Sequence, residues 1–507
     1  MLRAEVLRHD NRLVLLNMPE IPTAVTAPRA PLFSTRKIVH MSMLIFAFLL
    51  PYLTWRQAAG CALLALLFNV VVLPRLGADL RKSPASVSES GIRNLESPIA
   101  RLPTSPTYFT DAAGGWTGII IYPLSVLALI LLYRHDLKIV GATWAIMALG
   151  DGTASVTGGA LRGPALPWNR KKTWSGFLGF IVAGTAGAYV LTRWIALGAA
   201  LRAAPGVAPA VAPDIALRIC TATALVGAIV ESLPVRLDDN ATVPLVAGAF
   251  MYCLYFVERS ALDSNLPFLG RRIVLAAAIN LALAGLALGL KMVNRSGAVC
   301  GFVLGVAVYL GYGYKSFLLM FTFFAIGSVA TRLGYARKAA RGVAEKRGGA
   351  RSWREALANS LAGAFFSLLV ITTHHEGAFL MALIAAFAEA TGDTVSSEIG
   401  QWISDRAYLI TTFKPVPAGE DGGVSVGGSI AGGLASALVV VLAFGLGLCG
   451  KAGVVIALSA AVAGNLLDSV LGATLERRGL VTNGIVNFAG TSFAGALALC
   501  IALHLGF

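Results

Sequence analysis

Carboxylates recur in this chain inside stretches where an apolar helix should carry none. GDGTASVTGG (150–159) sets Asp151, three hydroxyls and four glycines within an apolar run. An ionised Asp in a membrane is costly, so Asp151 needs a cation or a donor network. Small residues there would let a phosphate chain approach the backbone while Asp151 holds Mg²⁺, an arrangement that suits phosphoryl transfer. A helix-packing face, with Asp151 as a buried hydrogen-bonder, is the competing reading. PWNRKKTWSG (167–176) places Arg170, Lys171 and Lys172 at a span boundary, an ordinary topological anchor unless a phosphate lies beside it. ESLPVRLDDNATVP (231–244) gathers Glu231, Asp238, Asp239 and Asn240 at one end of two spans. These are oxygen ligands for a hard cation, with helix N-capping as the alternative for part of the set.

The second half varies the theme. In AEATGDTVSSEIGQ (388–401), Glu389 and Asp393 stand at i, i+4 and share a face, with Glu398 further along the same span. Three acids with no adjacent cation call for a metal, a proton or a distant basic partner. FKPVPAGEDGGVSVGG (413–428) follows, with Lys414, paired acids, and Gly422 and Gly423, whose φ > 0 turns would let backbone amides surround phosphate; a flexible loop fits as well. GNLLDSVLGATLERRG (464–479) adds Asn465 and Asp468 within another span. GLGLCGKA (445–452) nearly spells a Walker A loop, but Ala452 replaces the Mg²⁺-binding hydroxyl and no strand precedes it, so Lys451 reads as a turn residue.

The elements that hold these groups follow from composition. Of 507 residues 56% are apolar and 13% charged, against about 25% charged in soluble domains. The chain therefore cannot clothe several globular domains in polar surface. Its apolar runs predict an all-α, polytopic integral membrane protein with about 15 transmembrane helices in two bundles. Residues 1–33 lack the apolar run of a signal peptide and read as a cytosolic tail. The polar, Pro-containing stretch 259–272 reads as a linker between domains at 34–258 and 273–507. The six cysteines lack metal-ligand spacing and read as small core residues.

Lys and Arg outnumber Asp and Glu 41 to 26. With a cytosolic N-terminus, the tail and every second loop carry most of that excess, as the positive-inside rule requires. The basic run 332–354 then serves topology, and the absence of a long basic tract with interleaved aromatics argues against nucleic acid. The same parity puts Arg36, Lys37, His40, the 170–172 cations, the 231–239 acids, the 405–426 loop and the turn after Asp468 on one side. A soluble anionic substrate could meet all of them from the cytosol of a plasma (inner) membrane.

RKIVH (36–40), GDGTASVTG, KKTWSG and ESLPVRLDDNATVP, in that order, resemble the CTP-dependent membrane lipid kinases that include dolichol kinase and phytol kinase. The resemblance spans about 34–258 and implies that Asp151, Asp238 and Asp239 serve metal and nucleotide, that Lys171 and Lys172 serve phosphates, and that Arg36 and Lys37 stand with them. His40 is a candidate general base or an interfacial hydrogen-bonder. GGAR (348–351) leading to Asn359, GDTVSSEIG, PAGEDGGVSVGG, and DSVLGAT through NGIVNF resemble phytyl-phosphate kinases related to transmembrane protein 19. For this half the acids' own chemistry nominates Asp393, Glu398 and Asp468 for metal, with Asp393 catalytic, and Arg351, Lys414, Gly422 and Gly423 for phosphate.

Together the resemblances imply two fused kinases that take a long isoprenoid alcohol to its monophosphate and then its diphosphate, using CTP or another nucleoside triphosphate with Mg²⁺. The intermediate is an amphiphile that need not leave the membrane lipid between steps. A CTP-dependent lipid cytidylyltransferase and a secondary transporter are the alternatives. If the shared face is right, cysteines placed at Thr173 and at Ser425, in a background without the native six, will react with an impermeant maleimide from the same side. Labelling from opposite sides would reject the shared face.

Overall fold

Lipid offers no partners for backbone N–H and C=O groups, so an apolar run that enters it must close its hydrogen bonds within itself as a helix. The protein, described here by a computed structural model at residues 40–75, 115–201 and 211–507, follows that rule. Among the described residues twelve helices are long and apolar enough to cross a membrane, from Trp55–Arg75 to Asn483–His504. The shorter apolar helices His40–Tyr52 and Gly118–Leu132, and the helix Asp239–Leu254, account for the other expected runs. The fold is all-α and polytopic, apart from a small antiparallel sheet of Arg406–Leu409 between Pro415–Pro417 and Gly423–Val424.

The helices group into two bundles. In the first, Trp174–Ala200 packs against Pro213–Ser232 and Leu137–Leu161. Phe180, fully buried, is wedged between Gly150 and Gly227 and so fixes the turn that leads into Asp151. In the second, Glu376–Ile403 is the axis. It contacts Tyr314–Arg332, Trp353–Thr372, Val426–Gly445, Lys451–Leu471 and Asn483–His504, and 89% of its most apolar stretch is buried. The bundles meet along a seam where Phe250 stacks on Phe365 at 5.4 Å and Phe256 meets His375 and Phe379 at 5.0 and 5.9 Å; Glu258 N–H donates to Thr372 O at 2.8 Å, and Arg236 N–H donates to Leu480 O at 3.1 Å.

The expected linker is not a loop. Residues 259–272 form the opening turns of one 31-residue helix, Arg259–Gly289, that runs on into the second bundle. Its polar side chains find partners on the helix and on the second bundle: Ser264 donates to Ser260 O, Asn265 to Ala261 O and Ile371 O, and Arg272 to Leu310 O.

Helix starts near the acids carry designed stops. Thr173 caps Trp174–Ala200 through Gly176 N–H, and Ser425 caps Val426–Gly445 through Gly428 N–H, both at 3.2 Å. Ser352 and Glu355 form a capping box at the head of Trp353–Thr372. Of the cysteines, Cys220 and Cys253 are buried as expected, whereas Cys61 and Cys500 are exposed on their helices.

Close packing on the axial helix predicts opposite effects for two glycine substitutions. A methyl at Gly363 would meet the buried Phe387 ring at 2.6 Å, whereas nothing lies within 4 Å of one at Gly285. Gly363→Ala is expected to cost about 1–3 kcal/mol by overpacking and Gly285→Ala to gain up to about 1 kcal/mol of helix propensity, read as opposite shifts of the thermal unfolding midpoint in detergent.

Candidate functional site

Two acidic centres stand out, one in each bundle. The first is assembled from three separate places in the chain. A π-turn, Ile146–Gly150, delivers Asp151, and such turns often mark functional positions. Glu231 lies in the last turn of Pro213–Ser232, and Asp239 is the first residue of Asp239–Leu254. One carboxylate oxygen from each of the three lies within 4.8 Å of the others, a spacing that fits oxygen ligands around one hard cation.

A folded loop brings the cation that faces them. Leu166, buried, receives the turn through its N–H to Lys172 O at 2.9 Å. Trp168 Nε1 donates to Ser232 Oγ and Asn169 Nδ2 to Ser232 O, each at 3.0 Å. Lys172 thereby reaches Glu231 and forms an ion pair with it. Burial acts against the lysine charge, but Glu231, Asp239 and Asp151 outweigh it and hold the ammonium above its ordinary pKa. His40 sits edge-on to Tyr122 with centroids 4.7 Å apart and is near enough to Asp239 to act on its charge.

Several expectations for this half change. Asp238 is the helix cap, accepting from Asn240 N–H at 3.0 Å and from its Nδ2 at 2.8 Å, and Glu231 takes the place expected for it in the acid group. Adjacent acids at a helix start divide the work, since only one can turn back to cap. Lys171 is exposed, and only its backbone N–H is engaged, by Asn169 Oδ1. Three of the four glycines at 150–159 serve packing, with Phe180 against Gly150, Met41 against Gly152 and Thr173 against Gly158; Gly159 alone faces open space. Arg36 and Lys37 lie outside the described residues.

The second centre is a cavity of about 1220 Å³. Asp393, from the axial helix, and Asp468, from Lys451–Leu471, face one another on its wall, and Asn359, Asn465 and Asn487 line it with them. The N-termini of three helices, at Trp353, Val426 and Asn483, open onto it, and helix N-termini attract anions through their free N–H groups and dipoles. Sequence reading missed this convergence, although the caps Ser352 and Ser425 signal two of the three. Arg351 lines the cavity beneath the Phe323 ring, 5.1 Å from its centroid. Burial acts against its charge, and Glu398, Glu345 and Glu355 act for it.

The glycine loop behaves as expected in one respect. Gly422 and Gly423 line the cavity, and Gly422, at φ 71°, lies so close to the backbone of Ala473 that a Cβ would collide with it. The loop therefore seats on a second π-turn, Gly472–Glu476, just beyond Asp468. Asp421 in this loop is pushed above the ordinary carboxylate range by partial burial and by Glu420, against the pull of Arg477. Lys414 is exposed and does not line the cavity. Lys451 begins a helix, exposed, as a turn residue would.

Glu398 lines the cavity with one carboxylate oxygen engaged by a buried lysine. Lys338, fully buried, donates to its Oε2 at 2.5 Å, to Thr331 O at 2.9 Å and to Ala330 O at 3.2 Å. The basic run thus does more than set topology: Lys338 neutralises an acid of the axial helix, and Arg337 and Arg341 both pair with Asp405.

A profile of an integral membrane protein family, DUF92, matches residues 278–502. An uncharacterized membrane protein of Synechocystis is 35% identical over 224 residues, 44% of this chain and 86% of that protein. Protein VTE6, chloroplastic, of Arabidopsis thaliana is 34% identical over 41% of this chain and 64% of its own length. A probable phytol kinase, chloroplastic, of Glycine max is 28% identical over 31% of this chain, which spans about half of that protein. No solved structure matches the chain.

The Lys338–Glu398 pair yields a stability prediction. Lys338→Met leaves a buried carboxylate uncompensated and is expected to cost about 3–5 kcal/mol, whereas Lys338→Met combined with Glu398→Gln should recover most of that loss. Unfolding midpoints of the single and double variants in detergent measure the difference; equal losses would show that the pair is not the source.

Proposed function

The chain belongs to the DUF92 family of integral membrane proteins, and on that premise we propose that it is a membrane phosphotransferase that phosphorylates an isoprenoid alcohol and then its monophosphate. The observation that carries the reading is the pairing, in each bundle, of carboxylates suited to a hard cation with groups suited to a phosphate: Asp151, Glu231 and Asp239 beside Lys172, and Asp393 and Asp468 beside Arg351 and three helix N-termini. The relative named probable phytol kinase supports the substrate class. In this reading residues 34–258 act on the alcohol and 273–507 on the monophosphate, CTP or another nucleoside triphosphate is the donor, and both centres face the cytosol of the plasma (inner) membrane.

Phosphoryl transfer asks the protein mainly for positioning and charge neutralisation. Mg²⁺, held in the first centre by Asp151, Asp239 and Glu231, would supply charge neutralisation at the phosphate oxygens. Lys172, which pairs with Glu231 at the edge of the group, would bind a phosphate oxygen of the triphosphate there. His40, beside Asp239, is placed to accept the alcohol proton. In the second centre Asp393 and Asp468 would hold the metal, and Arg351 with the N–H groups at Trp353, Val426 and Asn483 would orient the monophosphate. The hydrogen bond from Arg236 to Leu480 joins the rim of the first centre to the loop leading into Thr482 and Asn483 on the rim of the second, so an intermediate with its tail in lipid has a short lateral path.

Purified protein incubated with Mg²⁺, prenols and labelled nucleotide tests the proposal. Label from the γ-phosphate of CTP should enter lipid; label from the α-phosphate would establish nucleotidyl transfer instead. Asp393→Asn should accumulate prenyl monophosphate. Asp151→Asn should make nothing from the alcohol yet convert added monophosphate, each blocked step slowing at least about a hundredfold. If either substitution in a folded, inserted protein abolishes both steps, the two-centre division is wrong.

A further inference from the structure

Glu389 lies beneath the second cavity, one helical turn from Asp393, and is 1% exposed. Neither of its carboxylate oxygens has a hydrogen-bond partner. It cannot swing out to find one. Gly464 and Gly490 press on it from two neighbouring helices, so close that a methyl at Gly464 would stand 2.7 Å from its Cγ and one at Gly490 2.5 Å from its Oε1. The same methyl at Gly490 would be 3.4 Å from Asp468 Cβ, which puts Glu389 and Asp468 on either side of one small gap.

Asn487, one helical turn before Gly490 on the same helix, adds a further acceptor. Asp468 Oδ2 and Asn487 Oδ1 are buried without partners as well, and the Asn487 nitrogen is already spent on Asn359 Oδ1 at 3.2 Å. Among the described residues none of Glu389, Asp393 and Asp468 takes part in an ion pair, and the buried lysine of this bundle is committed to Glu398. A buried carboxylate without donors is among the costliest arrangements a membrane interior can hold. Buried carboxyl and amide oxygens that lack partners match the ligand chemistry of a hard divalent cation. We propose that Glu389, Asp468 and Asn487 form a divalent-cation site at the floor of the cavity, with Glu389 as the ligand that sequence spacing alone assigned to no role.

This deepens the phosphotransferase reading of the same cavity, but it is tested by binding and not by turnover, so the two can fail separately. Mn²⁺ binding is measured by electron paramagnetic resonance on the full-length protein in detergent, without nucleotide or lipid. An Asp239→Asn background removes a ligand of the first centre. Glu389→Gln, close in size and uncharged, should weaken Mn²⁺ binding at least tenfold and abolish the rise in unfolding midpoint that Mn²⁺ gives the parent. Unchanged affinity would mean that Glu389 carries a proton in the native protein and would overturn the site. Should the Gln variant fail to insert, Asn487→Leu, which leaves every carboxylate in place, decides the matter: several-fold weaker binding supports the site, and parental affinity rejects it.

Discussion

A carboxylate placed in the bilayer must be answered by opposite charge, and much of this protein is arranged around giving that answer. The axial helix Glu376–Ile403 carries Glu389, Asp393 and Glu398 through the middle of five neighbours. Glu398 is answered by Lys338, which reaches it from the short helix Tyr335–Ala340 after the preceding span has ended. In the other bundle Lys172 reaches Glu231 from a loop held down by Trp168 and Asn169. In both cases a lysine outside the apolar runs is folded back onto an acid at a helix end. The long flexible stem makes this feasible, because its methylenes can be buried while the ammonium meets its partner. Among the described residues Glu389, Asp393 and Asp468 have no such lysine, whereas Glu231 keeps its own within the acid group of the first centre.

Hydrophobic runs and embedded acids are legible in a sequence because both follow from local rules, and the fold class was read that way. Partnerships are a different matter. Asp151 and Glu231 come together across the loop and a full helical hairpin, and nothing in either local stretch announces it. Asp238 and Asp239 are adjacent and chemically alike, yet backbone geometry at a helix start makes one a cap and the other a member of the acid group. Glu398 has the type and spacing of a ligand, and nothing local announces that Lys338 reaches it as a buried partner. The stretch 259–272 looked like a linker because its side chains are polar, but Ser264 and Asn265 bond back to their own helix. Polarity in such a place tells where water or a headgroup lies, not whether the helix stops.

The two centres also show how one chemical requirement is met with different parts. The first relies on a compact group of three carboxylates and a lysine; the second spreads its acids over a broad cavity and faces them with helix N-termini. Each has a π-turn beside a key aspartate, before Asp151 and after Asp468. Such a turn widens the backbone by one residue and re-aims the side chains next to it, so an aspartate can be directed away from the apolar face its position in the helix would dictate.

The seam between the bundles has a consequence for assembly. Across it Phe250 stacks on Phe365, Phe256 meets His375 and Phe379 edge-on, Val257 bridges to Thr373, and Cys253 joins the hydrophobic core of the second bundle. The continuous helix Arg259–Gly289 begins directly beside these contacts, a covalent tether that turns their formation into an intramolecular event at high effective concentration. Two separately synthesised halves would have to make the same contacts by diffusion in the bilayer. The unbroken chain therefore spares the seam the concentration dependence that a heterodimer would carry.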